Sequence, residues 1–464
     1  MDTKSLLEDF NRELERRRVR LHGASLISGF EVVGEIYNGT YTAETKTRMY
    51  STSKSVAAVA IGKLVGEGLL SLDDRIVDVF ADRFDTGAAH PYLREQTVRH
   101  MLTMTTAYST PTYSPEIKDW LASYFRAEPT HPADTVWYYD SSGSYVLGAI
   151  VKHKTGLDYV EYLRDIFDEI GVSRGVYTLK GPDGEAWASS GFTATTSDLG
   201  RIAYLLLSGG RWRGKQLLPE DYVRAAISPL KRNDDGAKVS RFDCGYGYQI
   251  WSHPNGAFAF RGLGGQIAIG FPGHDLVFSC TSDTAGNHNA YDDIFEAVES
   301  IILPAFPITD EGAYLAAQPQ PLRKNLFDEI KDTDYLLDEN KLGIDAVRFE
   351  GDGRDNCLIY TKGGKEHRIP FRIGSETQII FPEKYSGEML FNEATYISYR
   401  CSVEARWLEE RKLFIKIWAE DLYVGNMTLA FAFREDGRIG VKADKRAQFF
   451  FDGFEGFAGG RRAQ

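Results

Sequence analysis

Long hydrophobic runs are missing from this 464-residue sequence. No stretch approaches the roughly 20 apolar residues of a membrane-spanning helix, and the start, Met1-Asp2-Thr3-Lys4-Ser5-Leu6-Leu7-Glu8, lacks the apolar core of a secretory signal. A cytoplasmic protein is expected. Cysteine is scarce: Cys244, Cys280, Cys357 and Cys401 are scattered with no Cys-x-x-Cys pair, which excludes a disulfide frame or a zinc cluster and reads as buried free thiols. The nine histidines form no His-x-x-x-His or Glu-paired group, so neither a metal nor any other cofactor is called for. Positive charge is the minority as well, 54 Lys and Arg against 66 Asp and Glu. The resulting net charge of −12 argues against nucleic acid or an anionic membrane as the main partner, since both draw basic patches. Finally, the Gly-x-Ser-x-Gly elbow of one large class of serine hydrolases is absent.

Against these absences stands one chemical pair. Met49-Tyr50-Ser51-Thr52-Ser53-Lys54-Ser55 leads directly into Val56-Ala57-Ala58-Val59-Ala60-Ile61, a helix apolar on nearly every side and therefore buried on most faces. Ser51 and Lys54, three apart, project from one face of its first turn. Desolvation drives a lysine toward its neutral amine, which can take the serine proton, and the first-turn amides favour an oxyanion. The alternative is an N-cap serine beside a solvated lysine. A second Ser-x-x-Lys, Ser228-Pro229-Leu230-Lys231, heads no apolar helix.

The length suggests two or three domains. An amphipathic helix is expected over residues 3–20, then strands over 24–41 turning at Gly29 and, as a hairpin, at Asn38-Gly39. From Gly66 to about Ser240 the chain reads as helices, including 98–103, 115–127, 144–155, 159–170, 197–208 with Ser197 as cap, and 219–227. Strands return at 247–251, 258–260, 266–271 and 276–281, before an amphipathic helix over 290–303. Strands at both ends of a helical block imply an α+β unit over 1–303: one antiparallel sheet assembled from distant segments, flanked by helices, plus an all-helical lobe, with a site where sheet and lobe meet. Prolines 304, 307, 319 and 321 mark a linker over 304–325. Residues 326–464 read as an all-β antiparallel barrel-like unit, with strict alternation over 397–407 and further strands at 413–418, 427–433 and 448–451. Nothing in that unit announces a ligand, so a structural or interface role is expected of it.

The first 303 or so residues resemble the serine β-lactamase and penicillin-binding protein superfamily, in its class C β-lactamase, DD-peptidase and esterase branch. The pieces that carry the resemblance occur in that family's order. They are Tyr50-Ser51-Thr52-Ser53-Lys54, Gly68-Leu69-Leu70-Ser71-Leu72-Asp73-Asp74, Thr97-Val98-Arg99-His100-Met101-Leu102-Thr103-Met104-Thr105, Trp137-Tyr138-Tyr139-Asp140-Ser141 leading to Tyr145-Val146-Leu147-Gly148, and Arg261-Gly262-Leu263-Gly264-Gly265-Gln266. The resemblance implies Ser51 as nucleophile, Lys54 as its base partner, and Tyr139 as the tyrosine that passes the proton to the leaving group, with Tyr138 as the rival. A phenol beside an ammonium ionises more readily than a free one, and the two would titrate as a unit. The oxyanion hole would be the backbone amides of Ser51 and Leu263, with Gly262 and Gly264 letting substrate approach the strand edge.

Two departures bear on specificity. Ser141 stands where the family's second motif usually ends in a substrate-holding asparagine, and Phe260-Arg261-Gly262 stands where Lys-Thr-Gly or His-x-Gly is usual. Arg261 either replaces the missing cation or is a solvated edge charge. The expectation is a serine hydrolase acting through an acyl-enzyme on a small ester, amide or peptide. The alternatives are a β-lactamase or D-amino-acid-specific peptidase relative, and a catalytically silent ligand-binding protein of the same fold.

Overall fold

The computed structural model describes residues 2–85, 87–233, 240, 243–309, 326–384, 398–421, 424–447 and 450–463. Its first half is organised by a seven-stranded antiparallel sheet. In spatial order the strands are Glu31–Tyr37, Arg20–Ser28, Leu276–Asp283, Gln266–Phe271, Phe258–Gly262, Trp251–Ser252 and Gly245–Tyr246. The first long strand of the chain thus pairs with the last strand of this sheet, Leu26 opposite Phe278 and Ile27 opposite Val277.

Alternation assigns the two faces. Leu26, Phe278 and Cys280 pack against the Thr3–Arg16 and Ala290–Ala297 helices, while Ile27 and Val277 join the helical lobe. The Thr3–Arg16 helix starts because Asp2 accepts from the Ser5 amide, and it buries the stripe Leu7, Phe10 and Leu14. At the centre of the lobe lies the Thr52–Gly66 helix, every residue of which from Thr52 to Leu64 is buried. The Ser141–Thr155 helix packs alongside it, opened by Asp140 as cap and closed by Gly156 at φ +78°.

Several local expectations are corrected. The hairpin joining the first two strands turns at Gly29 and Phe30, both at positive φ. Asn38-Gly39 instead leaves the sheet, because the Asn38 amide is engaged by Asn11 and by the Leu21 carbonyl. The 197–208 helix begins one residue early and is capped by Thr195, which forms a reciprocal capping box with Asp198. The strand expected over 247–251 is interrupted by Gln249 at φ +59°, whose buried amide is taken by Met101 and Ser144. Part of the expected linker, 310–325, and two of the four residues of the expected 448–451 strand lie outside the described residues.

The second half is a ten-stranded antiparallel sheet running from Lys365–Arg372 at one edge to Thr377–Ile380 at the other. A bridge from Ile373 to Ala405 brings the two edges together, so the sheet is a nearly closed barrel. Its interior is filled by side chains, among them Phe349, Phe371, Tyr399, Phe431 and Phe433. The barrel sits against the helical lobe. Tyr92 donates to Asp338, Arg438 pairs with Glu95, and Arg434 donates to the Ala133 carbonyl at 2.9 Å. Gly459 is required at this contact, since a Cβ there would lie 2.6 Å from the Tyr92 hydroxyl oxygen. No helix among the described residues is long and apolar enough to cross a membrane.

Candidate active site

The mouth of the central helix is tied down before it begins. Met49 N donates to the Phe192 carbonyl at 2.8 Å, Phe192 N donates to Ser53 Oγ at 2.9 Å, and Thr52 Oγ1 donates to the Met49 carbonyl at 3.0 Å. Tyr50 is held at φ +47°, a conformation that costs a non-glycine residue about 1–2 kcal/mol. The Arg48 guanidinium lies over its ring at 4.7 Å.

Ser51 then opens the helix, but its hydroxyl makes no capping bond. Lys54 Nζ donates to Ser51 Oγ at 3.1 Å and to the Ser189 carbonyl at 2.7 Å. The reading as cap serine with solvated lysine is therefore set aside. Lys54 is buried, and desolvation pulls its pKa down to about 7, with the charge of Asp140 working in the opposite direction.

Tyr139 stacks on Trp251 with ring centres 5.6 Å apart, and Lys54 Nζ lies 4.9 Å from the centre of its ring. Burial pushes the phenol up to about 12, while Ser51 and Arg261 hold it down in part. The expectation that this phenol ionises readily is thus overturned: loss of hydration outweighs the favourable neighbours. Tyr138, the rival, packs on Phe457 of the barrel at 5.5 Å.

Asp140 was not singled out by motif, although its position before a small-residue helix start is an N-cap signature. It accepts from the Ser142 and Gly143 amides at 2.8 and 3.1 Å and from Thr106 at 3.2 Å, yet burial still raises its pKa to about 6. With Asp140 as cap, Ser141 sits inside the first turn and is not among the described residues lining the cavity.

The Phe258–Gly262 strand supplies the opposite side. A Cβ on Gly262 would collide with the Met49 carbonyl oxygen, so this glycine sets how closely the strand approaches the helix mouth. Tyr291 donates to the Gly262 carbonyl at 2.8 Å. Gly264 and Gly265, at φ +81° and +80°, turn the chain back into Gln266 and leave Leu263 67% exposed on the cavity wall. Among the described residues, neither the Ser51 nor the Leu263 amide donates to a protein acceptor.

Arg261 is no solvated edge charge. It is buried, pairs with Asp243, and lies 4.5 Å over Trp251 and 4.7 Å over Tyr291.

Ser51, Tyr138, Tyr139, Trp251, Arg261 and Leu263 line one cavity of about 1620 Å³. Its far wall comes from the barrel, through 338–341, 442–444 and 455–457. The appendage expected to be structural therefore shapes the cleft. The barrel's alternating strand pattern showed only which residues face inward, not what its turns lie against.

Comparison with known proteins matches residues 12–300 to the Beta-lactamase family model. A 6-aminohexanoate-dimer hydrolase of Paenarthrobacter ureafaciens is 22% identical over 258 residues, 52% of this chain and 66% of that protein, just under two thirds of its length. Among solved structures, a putative 6-aminohexanoate-dimer hydrolase from Bacillus anthracis aligns with TM-score 0.51 and 20% identity over 67% of this chain and 83% of that one. The octameric penicillin-binding protein homologue from Pyrococcus abyssi aligns with TM-score 0.54 and 17% identity over 99% of this chain and 100% of that one, so the likeness of fold extends through the barrel.

Proposed function

This chain belongs to the Beta-lactamase family, and on that premise we propose that it is a serine hydrolase that forms an acyl-enzyme on Ser51 and cleaves a small ester, amide or peptide bond. The observation that carries the reading is the 3.1 Å contact between Ser51 Oγ and the nitrogen of a buried Lys54 whose pKa is pulled down to about 7. Near neutral pH a large share of Lys54 is the free amine, and its lone pair accepts the Ser51 proton as Oγ attacks the substrate carbonyl carbon. The carbonyl oxygen becomes an oxyanion held by the Ser51 and Leu263 amides. Tyr139, a phenol at this pH, gives its proton to the departing amine or alkoxide and is reprotonated by the Lys54 ammonium. Water then attacks the acyl carbon by the same route in reverse and frees Ser51.

An ester or linear amide is favoured over a β-lactam. Ser141 is outside the cavity lining, and the one cation of the third motif, Arg261, is already neutralised by Asp243. The relative from Paenarthrobacter ureafaciens, a 6-aminohexanoate-dimer hydrolase, fits a hydrolase acting on a small substrate. We take residues 1–303 as the hydrolase unit, 304–325 as linker and 326–464 as a second unit. The four cysteines, none of them in a disulfide among the described residues, fit a reducing, cytoplasmic setting.

The test is covalent labelling. A fluorophosphonate and a p-nitrophenyl ester are expected to modify Ser51 and be turned over, respectively, by the wild-type protein and not by Ser51→Ala, with a fluorescent penicillin labelling poorly. Absence of any adduct in folded protein would overturn the enzyme reading in favour of a ligand-binding one.

A further inference from the structure

The segments that hold the two reaction partners leave the same end of one strand pair. Thr47–Arg48 pairs antiparallel with Phe192–Ala194, Arg48 opposite Thr193; the first runs on through Met49 and Tyr50 to Ser51, and the second is entered from the turn 187–191. That turn carries the Ser189 carbonyl, which accepts from Lys54 Nζ at 2.7 Å. Where Lys54 points therefore depends on where the turn stands relative to the helix mouth.

The Arg48 side chain spans the two. Its Nε donates to the Ser190 carbonyl and its Nη2 to Ser190 Oγ, both at 2.9 Å. Its guanidinium lies over the ring of Trp187, where the turn starts, at 4.4 Å, and over the ring of Tyr50 at 4.7 Å. Tyr50 is the residue before the nucleophile and is held at φ +47°. One side chain thus grips the turn on both sides of Ser189 and the residue in front of Ser51. Among the described residues no carboxylate pairs with this half-buried guanidinium. A cation spent on a carbonyl, a hydroxyl and two ring faces fixes geometry, because its planar fork holds two donors at a set angle. Tyr113 adds a second hold, one bond between its hydroxyl and Ser189 Oγ at 2.9 Å. Arg48 itself is not among the described residues lining the cavity.

A neutral amine swings about its Cε–Nζ bond unless an acceptor fixes one of its hydrogens, and proton transfer needs the two partners in a narrow geometry. Resting on the hydrolase reading above, we propose that Arg48 is a positioning residue for the reaction at Ser51: by tying the turn 187–191 to Tyr50, it holds the Ser189 carbonyl where that carbonyl aims the Lys54 lone pair at Ser51 Oγ. The site uses the fork of Arg48 and not its charge.

The test is steady-state turnover of a p-nitrophenyl ester by full-length protein, with each variant checked by near-UV circular dichroism and assayed well below its Tm. Arg48→Met is expected to lower kcat about 10–100-fold and leave KM within about twofold, since the residue touches no substrate. Arg48→Lys keeps the charge but not the paired donors, and its kcat should stay within about threefold of Arg48→Met. The plateau of the pH–rate profile should fall and stay low at every pH, because deprotonating Lys54 does not return its aim. Ser190→Ala removes one of the two bonds and should lower kcat by about threefold at unchanged KM, a readout that serves even where Arg48→Met does not fold. Arg164→Met also removes bonds to two carbonyls, those of Ser173 and Val172, but none to the turn, and should leave kcat unchanged. Undiminished kcat in Arg48→Met or Ser190→Ala, activity recovered by Arg48→Lys or by raising pH, a loss confined to KM, or an equal loss in Arg164→Met would overturn the proposal. Failure of the hydrolase reading would show separately, as wild-type protein that a fluorophosphonate does not label at Ser51.

Discussion

The nitrogen of Lys54 touches two oxygens of different kinds: Ser51 Oγ at 3.1 Å, on its own helix, and the Ser189 carbonyl at 2.7 Å, brought from 135 residues further along the chain. A carbonyl can only accept, so a neutral Lys54 keeps one N–H on Ser189 and turns its lone pair toward the serine. The carbonyl orients the amine, and burial keeps it uncharged.

The activity carried by Lys54 should follow its proton. As pH rises through about 7 the amine is freed, so kcat/KM on a neutral ester is expected to rise and then level off, with no loss before the phenol of Tyr139 ionises near 12. Lys54→Met should lose roughly 10²–10⁴ in kcat/KM. Lys54→Arg should do no better, because guanidinium keeps its proton. A pH–rate profile checks both.

The same residue should cost stability. Its folded pKa of about 7 lies below the unfolded 10.5, so between those values the unfolded chain binds more protons and stability rises with pH. Lys54→Met is expected to melt higher than wild type at pH 7, with the gap narrowing as pH approaches 10. Calorimetric Tm values at several pH values read this, and a variant that melts lower throughout would contradict it.

Asp140→Asn separates capping from charge. Asparagine still caps a helix, so folding should survive. The carboxylate raises the Lys54 pKa, and removing it should move the acid limb of the pH–rate profile to lower pH. Because burial lifts the Asp140 pKa from 3.8 to about 6, its charge opposes folding above that range, and Asn should be stabilising above pH 6 and near neutral below 4. Thermal melts at pH 4 and pH 8 check the sign.

Asp243 and Arg261 should behave as a buried pair. Asp243→Asn leaves the guanidinium uncompensated and is expected to cost about 3–5 kcal/mol, whereas Asp243→Leu/Arg261→Met should recover most of that loss. Denaturant titration of the single and double variants measures the coupling.

Gly262→Ala adds one methyl where the Met49 carbonyl stands. The strand and the helix mouth must part, which should cost about 1–3 kcal/mol and lower kcat more than KM, since Leu263 moves with the strand. Chemical denaturation and steady-state kinetics together test it.

Much of this geometry could be read in the residues. The apolar run behind Ser51 announced a buried helix, and alternation announced both the sheet and the barrel. What stayed hidden lies in contacts between distant segments. Asn38-Gly39 carries a strong local hairpin signal, but the Asn38 side chain is claimed by Asn11 and Leu21 and the turn goes to Gly29-Phe30. The orientation of Arg261 depended on Asp243, Trp251 and Tyr291, none of them its neighbour in sequence. Pairing the Tyr139 hydroxyl with a nearby ammonium predicted easier ionisation, because sequence supplies the neighbour but not the depth of burial. Residues 338–341 and 455–457 of the barrel carry no sequence signal for the cleft; contacts between distant segments, among them Asp338 and Gly459 against Tyr92, set the barrel beside it.

The pairing of the Arg20–Ser28 strand with the Leu276–Asp283 strand has a bearing on biosynthesis. Translation proceeds at about 5–20 residues per second, so the first of these strands waits roughly ten to fifty seconds for its partner to leave the ribosome. Once residue 139 is made, well before the interval ends, Ser51, Lys54 and Tyr139 are all present, but the sheet that is to carry Leu263 is not yet complete. A nascent chain released between residues 263 and 276 would hold the whole reactive constellation in its sequence and leave an unpaired strand exposed to aggregation.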